Sequence, residues 1–271
     1  MKWKPLFAVL LGLLMVGVTT GSASAKDVFS LTFKNKNGLV VFAGQEDHFY
    51  CSWKFLSGQP YDAWGIRMYY VPGKYLTILD HWGRGAVYHP QTYKWFVSGK
   101  INAGDSSPYD SYFHLPAPWL KVRYKYFDGT NEATYKCSLD LFTKAIPIFN
   151  IPIYIKRKTV TASFKVFILG PVGSYMYKLH LDYLANYNGG AYPEKISQTL
   201  SPLPNMMQVK NELKRILYME KTRPDFIIVD VKKIGNTKIL TIEGYKKTSS
   251  DGEAYVIFKH SKRFDKKEQS R

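Results

Sequence analysis

The sequence predicts a mainly β protein, in which an antiparallel sandwich or jelly-roll-like domain over residues 26–190 precedes a small α+β unit over residues 200–263. Many segments alternate apolar and polar residues, which is the period of a β-strand with one buried face. Glycine and proline separate these segments at short intervals, as turns do in antiparallel sheets. Beyond residue 200 the pattern predicts one helix and a three-stranded meander, and residues 264–271 are predicted to be a disordered tail.

The clearest strand pattern surrounds a turn predicted at residues 128–131. Apolar and basic residues alternate from Leu120 to Tyr126, and a second alternating run extends from Tyr135 to Leu141. Two such runs joined by a glycine-containing turn predict a β-hairpin. A further alternating run from Val160 to Ile168 predicts another strand of the same domain.

The C-terminal unit begins after a connector rich in glycine and proline. Five apolar residues then fall on one face of a helix that ends at Arg223-Pro224: Met206, Val209, Leu213, Ile216 and Leu217. Three short segments separated by glycine-containing turns follow it and predict the meander: Phe226 to Val231, Lys238 to Tyr245, and Ala254 to His260. Such a unit either stands as a small domain or caps the first one, and we favour a separate unit.

The N-terminus has the pattern of a cleavable signal peptide over residues 1–25. Lys2 and Lys4 precede the 13-residue apolar run Leu6 to Val18, and Ala23-Ser24-Ala25 matches the A-x-A cleavage pattern. A retained anchor needs about 18 to 20 apolar residues, so we expect cleavage rather than anchoring. The sequence therefore predicts a secreted or cell-surface-associated protein with no transmembrane segment after cleavage.

Cys51 and Cys137 are the two cysteines of the chain. Export exposes such a pair to oxidising conditions, which favour a disulfide over two buried free thiols. Cys137 lies on the apolar side of its predicted strand, where a bond to another sheet can form. No histidine lies at the short spacing of a structural zinc site, so we predict neither a metal site nor a cofactor.

The charge of the chain is uneven. Residues 26–119 hold nine Lys and Arg against seven Asp and Glu, whereas residues 120–271 hold 27 against 14. Aromatic residues have the opposite distribution, with 21 in the first stretch and 20 in the longer second one. Positive charge favours polyanions. Because export argues against intracellular nucleic acid, we expect an anionic polysaccharide or envelope polymer as partner, while the alternative is a lysine-rich surface that only maintains solubility.

Few residues suggest catalysis. The sequence has no G-x-S-x-G, H-E-x-x-H, P-loop or dinucleotide-binding motif. Asp80 and His81 lie beside Trp82, and a similar neighbourhood occurs at Glu46-Asp47-His48. A carboxylate and an imidazole near aromatic rings could cleave a glycosidic bond. A structural role is the simpler interpretation, so enzyme activity is uncertain and not favoured, with Asp80 and His81 as the weak catalytic candidates.

Two groups of residues are candidates for binding. Trp64, Trp82 and Tyr109 have turn residues beside them and are expected to expose rings that could stack on sugars, although most aromatic residues of this stretch should lie in the core. Lys121, Arg123 and Lys125 share one strand face and could form a basic patch. The favoured hypothesis is a binding protein for an anionic polymer, and the alternatives are a secreted glycan hydrolase and a subunit of an extracellular assembly. A flat basic face beside aromatic rings would favour binding, and a cleft with two close carboxylates would favour hydrolysis.

Overall fold

The computed structural model describes residues 27–71, 76–83, 86–87, 93–125, 130–170, 197–248 and 254–264. The protein is mainly β with antiparallel and mixed sheets, and the described part contains one α-helix, as the sequence predicts. The predicted signal peptide and the turn at residues 128–129 lie outside the described residues. No helix in the described ranges is long and apolar enough to cross a membrane.

Sixteen strands and one helix are found in the described residues. The strands before the long central hairpin are β1 (Val28–Asn35), β2 (Val40–Phe42), β3 (Glu46–Ser57), β4 (Tyr61–Val71), β5 (Leu76–His81), β6 (Ala86–Val87), β7 (Tyr93–Ile101), β8 (Tyr109–Asp110), β9 (Leu115–Pro116) and β10 (Trp119–Tyr124). The remaining elements are β11 (Thr130–Ile148), β12 (Ile151–Leu169), β13 (Ser197–Leu200), α1 (Met206–Met219), β14 (Phe226–Ile234), β15 (Thr237–Lys247) and β16 (Ala254–Phe264).

The strands form a small and a large sheet that face each other. The small sheet has four antiparallel strands in the order β1-β3-β10-β5. The large sheet has the order β11-β4-β7-β6-β16-β15-β14-β12-β13, with β2 beside β12 and an additional pairing of β11 with β12. A short hairpin of β8 and β9 forms a separate two-stranded sheet.

The strands flanking residue 129 are present, but the predicted hairpin between them is wrong. β10 pairs with β3 and β5 in the small sheet, whereas β11 pairs with β4 and β12 in the large one. The chain therefore crosses from one sheet to the other between these strands. Alternation of apolar residues specifies which side of a strand is buried, and it does not specify which strand lies alongside.

The core between the two sheets contains the disulfide. Cys51 on β3 and Cys137 on β11 are fully buried and bonded, with their Cα atoms 6.7 Å apart. Both lie in one apolar cluster with Phe33, Phe49 and Leu139, which come from three strands of the two sheets. The bond therefore links the sheets through the centre of the core, and the predicted disulfide between opposing sheets is confirmed.

The helix lies on one face of the C-terminal meander. Asn205 caps its N-terminus by accepting hydrogen bonds from the backbone N–H groups of Met207 and Gln208. Val209, Leu213 and Ile216 are buried in one apolar cluster with residues of β14, β15 and β16. The predicted helix and the three following strands are confirmed, but Met206, which was predicted on the apolar helical face, is exposed at the first position of the helix.

The meander is hydrogen-bonded to strands of the preceding domain. β14 runs parallel to β12 at Ile153–Ile155, and β16 pairs with β6 at Ala254. The sheet is therefore continuous between the two predicted units, whose connector lies mostly outside the described residues. Phe264, which we predicted as the first residue of a disordered tail, is buried at the end of β16, and residues 265–271 lie outside the described ranges.

Loss of the disulfide should destabilise the protein strongly. The two cysteines are 86 residues apart in sequence, and closing a loop of that length stabilises a fold by about 4.5 kcal/mol through the entropy of the unfolded chain. We expect the double variant Cys51→Ala with Cys137→Ala to lose about that much free energy of unfolding in a urea titration. Wild-type protein that is reduced before unfolding is the control, because it lacks the disulfide but keeps both sulfur atoms. Equal stability of the oxidised and reduced wild-type proteins would contradict the prediction.

Candidate functional site: the outer face of the four-stranded sheet

One side of the small sheet packs in the core, and its other side carries several of the residues that the sequence singled out. Alternation along β10 directs Leu120, Val122 and Tyr124 inward, where all three are buried. Lys121 and Arg123 therefore lie on the outer side. The register places Lys121 between His48 of β3 and Asp80 of β5, and it places Arg123 beside Glu46.

The short hairpin of β8 and β9 covers one end of this outer face with aromatic rings. Trp119, the first residue of β10, is buried beneath it in a cluster with Leu115 and Ala117, and Tyr50 and Phe113 pack against that cluster. Asp110 holds the hairpin in place, because it accepts a hydrogen bond of 2.8 Å from Trp119 Nε1 and bonds from the backbone N–H groups of Tyr112 and Phe113. The hydrogen bond from Trp119, followed by those backbone bonds, lowers the pKa of Asp110.

A chain of rings connects the hairpin to the basic residues. Phe113 contacts Trp119 with 4.4 Å between ring centroids, and both rings lie within 6 Å of the imidazole of His48. His48 is the cross-strand neighbour of Lys121. Tyr112 packs edge-on against Phe113 at 4.8 Å. Aromatic and basic groups therefore form one continuous surface, which we call the aromatic-basic face: His48, Tyr109, Tyr112, Phe113, Lys121, Arg123 and Lys125.

Two tyrosines of the hairpin are largely exposed. Tyr109 is 63% exposed and Tyr112 is 84% exposed. Rings held by backbone strands and open to solvent on the hairpin can stack against the C–H face of a sugar, while their hydroxyl groups form hydrogen bonds. The expected exposure of Tyr109 is confirmed, and Tyr112 is a ring that the sequence interpretation did not select.

Glu46 partly neutralises the basic residues. Its carboxylate pairs with Lys121 at 2.9 Å and with Arg123, so one acid serves two cations. The hydrogen bonds from Lys121 and Arg123 lower the pKa of Glu46, so that it stays charged. Lys125 is exposed at the end of β10 and has no acidic partner among the described residues. Because Asp80 is also a cross-strand neighbour of Lys121, the face has three cations beside two carboxylates and is only weakly basic.

Two predicted rings are less available than expected. Trp64 is 4% exposed and packs edge-on against Trp53 inside the core, so its expected exposure is wrong. It lies on β4 opposite Leu141 of β11, and it shares the core cluster with Ile66 and Met68 of its own strand. Trp82 is half-buried against the core and the hairpin cluster, and its backbone carbonyl accepts a hydrogen bond from Trp95 Nε1 at 2.5 Å.

The catalytic candidates are the last two residues of β5. The exposed carboxylate of Asp80 accepts a hydrogen bond of 2.8 Å from the backbone N–H of His81. The Nδ1 atom of His81 lies 3.2 Å from the carbonyl oxygen of Trp82. Asp80 and Glu46 lie on the strands to either side of β10, which separates their backbones by roughly 10 Å, two strand spacings. The two acids therefore lie apart on an open sheet face.

The sequence is not assigned to a known family by comparison. No protein-family model matches it, and the comparison with curated proteins finds no significant match. Among solved structures, one described as "AvmM Catalyzes Macrocyclization in Alchivemycin A Biosynthesis" matches at 11% identity and a TM-score of 0.27, covering 55% of this chain and 92% of that one. A likeness at this level carries no argument about fold or function.

The imidazole of His48 should resist protonation. Burial is the main cause that lowers its pKa below 6.5, and Lys36 and Lys121 add to the effect. As the pH falls below 6.5, the unfolded chain takes up a proton that the folded protein excludes, so the free energy of unfolding decreases until the folded pKa is reached. We expect His48→Asn to remove this part of the pH dependence in urea titrations.

The exposed residue His114 provides a matched control, because its positive φ of 52° accommodates asparagine. His114→Asn should leave the slope between the folded pKa of His48 and pH 6.5 nearly unchanged. A His48 ring that titrates by NMR at or above 6.5 would contradict the prediction.

Proposed function

We propose that the protein is a secreted or surface-associated binding protein for an anionic polysaccharide or envelope polymer, and that the aromatic-basic face is its binding surface. The observation that carries the proposal is that two kinds of group share one side of the small sheet: Lys121 is the cross-strand neighbour of His48, and His48 contacts Phe113, which packs against the exposed Tyr112. Cations attract the acidic groups of a polymer, and rings stack on its sugar units. Neither group alone would distinguish an acidic polysaccharide from other polyanions.

The shape of the face supports binding over hydrolysis. A sheet side offers an extended and open surface along which a chain can lie. Glycosidases hold two carboxyl groups about 5 to 9.5 Å apart on either side of the scissile bond. Here β10 separates Glu46 from Asp80, and Glu46 is engaged by Lys121 and Arg123. The proposed nature of the polymer depends on export of the chain. We infer export from the sequence pattern of residues 1–25.

Reversing the charges of β10 should weaken polymer binding. The triple variant Lys121→Glu, Arg123→Glu and Lys125→Glu removes the cations of the face, and retention on a column of an acidic polysaccharide is measured against salt concentration. Binding of this kind displaces counterions, so the slope of log affinity against log salt should fall by about three, one for each lost contact. The control triple reverses Lys100 on β7 and Lys210 and Lys214 on α1, which are exposed and lie outside the small sheet. Equal losses in both triples would mean that net charge alone governs retention.

Removing Glu46 should strengthen binding. Glu46→Gln frees Lys121 and Arg123 to contact the polymer, and exposed ion pairs of this kind compete with a ligand by roughly twofold to fivefold in affinity. The matched control is Glu132→Gln, which removes an exposed carboxylate paired with Lys165 and changes the net charge equally. If both variants gain the same affinity, the pairing at Glu46 has no specific role and the aromatic-basic face is not the binding surface.

The tyrosine rings should contribute independently of salt. We expect Tyr109→Ser with Tyr112→Ser to weaken binding to the acidic polysaccharide by about tenfold, because stacking of two exposed rings is lost. The same variant should bind a polyanion without sugar rings, such as polyphosphate, as tightly as wild type. Equal weakening for both polymers would contradict a stacking role.

A further inference from the structure

A second charged region lies inside the protein, away from the aromatic-basic face. A cavity of about 130 Å³ is enclosed where the outer strands of the meander face β4, β7, β11 and β12. Lys232, Thr241 and Lys259 line it from β14, β15 and β16, and Arg67 and Lys94 line it from the other side. A cavity of this size is large enough for one small chemical group and too small for a length of polymer.

The acids that line the cavity are engaged by its own cations. Asp140 accepts hydrogen bonds of 2.6 and 2.9 Å from the guanidinium of Arg67 and a third from Thr159 Oγ1. The carboxylate of Asp230 pairs with Lys156. Glu243 pairs with two lysines at once, and the hydroxyl of Tyr245 donates to it as well. Asp140 and Glu243 therefore have little capacity left for a cationic ligand, whereas the Oδ1 atom of Asp230 is buried without a hydrogen-bond partner among the described residues.

The cations outnumber these acids. Five basic residues line the cavity among the described residues, namely Arg67, Lys94, Lys156, Lys232 and Lys259, against the three carboxylates. Lys94 and Lys259 share Glu243, at 3.5 and 2.9 Å respectively. Lys232 is exposed at the edge of the cavity and has no acidic partner in the described ranges. Two positive charges are thus left without compensation in a partly enclosed space.

Lys94 experiences this imbalance most directly. It lies beside Arg67 as a cross-strand neighbour on the same side of the sheet, which brings two like charges together. Burial lowers the pKa of Lys94, and although Glu243 opposes that effect, Lys259 and Arg67 reinforce it. An anion bound beside Lys94 and Lys259 would offset their mutual repulsion.

The other wall of the cavity is aromatic. Phe96 and Phe142 contact each other edge-on with centroids 5.4 Å apart, and Tyr245 continues the wall through its stacking on Phe226. These rings can cover an apolar or ring-shaped part of a ligand while the cations hold its acid. The combination of an acid-binding end and an apolar wall is typical of small-molecule sites.

We propose that this cavity is a second binding site, which takes the carboxylate or phosphate group of a small ligand between Lys94, Lys232 and Lys259. The proposal rests on the cavity alone and holds whether or not the aromatic-basic face binds a polymer. Lys232 has no acidic partner in the described ranges, and Lys94 and Lys259 share the single carboxylate of Glu243, so their charge is only partly compensated.

Thermal unfolding in the presence of small anions tests the proposal. Sodium phosphate and sodium glucuronate are each compared with sodium chloride at equal ionic strength, because a ligand that binds only the folded state raises the Tm. We expect at least one of the two anions to raise the Tm above the chloride value, and the active anion identifies whether phosphate or carboxylate is preferred. Isothermal calorimetry with the same anion should give one site per chain. A Tm in both anions equal to that in chloride would overturn the proposal.

Matched variants locate the site. Lys232→Gln with Lys259→Gln removes two accessible cations of the cavity and should abolish at least three quarters of the additional Tm shift. Lys233→Gln with Lys247→Gln makes the same chemical change at exposed positions outside the cavity and should retain it. The triple variant of Lys121, Arg123 and Lys125 should also retain it, which separates this site from the proposed polymer-binding face. An equal shift in the cavity variant and its control would refute the assignment.

Discussion

The rest of the structure depends on the packing of the small sheet against the central strands of the large one. Phe33, Phe49 and Cys51 on one side meet Tyr135, Cys137 and Leu139 on the other, and the disulfide holds the two layers in one register. Since side chains alternate along a strand, fixing the inner residues also fixes which residues point outward. The positions of Lys121, His48 and Glu46 on the outer side are a consequence of the burial of their neighbours. The core therefore positions the basic residues of the aromatic-basic face, while its tyrosines lie on the β8–β9 hairpin.

The same constraint has a different result in β11, because both sides of this strand are covered. Its odd-numbered residues from Tyr135 to Leu141 fill the core between the sheets. Its even-numbered residues were expected to face water, yet Ser138 and Asp140 are buried. The meander joins the sheet through β12 and β6 and brings its own strands opposite this second side. A polar strand side that is enclosed needs internal partners, and Arg67 and Thr159 supply them for Asp140.

The sequence predicted the individual strands and the helix better than it predicted which strands pair with each other, and the reason is physical. Alternation and helical periodicity report burial of single segments, so β10, β11, α1 and the meander strands could be located. Pairing between distant strands depends on contacts that no local pattern encodes, so the transfer of β11 to the other sheet was missed. The cavity was missed for the same reason, since its cations and acids come from seven strands.

Within the candidate site, turn and strand patterns were sufficient to choose Tyr109 and the cations of β10. They were not sufficient to predict that Trp64 is buried, because burial of a large ring is decided by the sheet that covers it. At Glu46-Asp47-His48, alternation separates three adjacent polar residues, with Asp47 buried and bonded to Tyr124 and its neighbours directed outward.

The effect of the chain's excess positive charge on polyanions can be judged only after the ion pairs are assigned. Lys156, Lys246 and Lys262 belong to the basic part of the sequence, but each is paired with an acid and contributes little to the attraction of a distant polyanion. The field at short range is set instead by cations that share an acid or have none. At physiological ionic strength, exposed charges act over about 8 Å, so an unpaired lysine affects its immediate neighbourhood and little beyond it. One arrangement occurs in two places: one carboxylate holds two cations in position without neutralising both. Glu46 holds Lys121 and Arg123 on the outer face, and Glu243 holds Lys94 and Lys259 in the cavity. Such an arrangement holds the cations at defined positions and leaves part of their charge uncompensated.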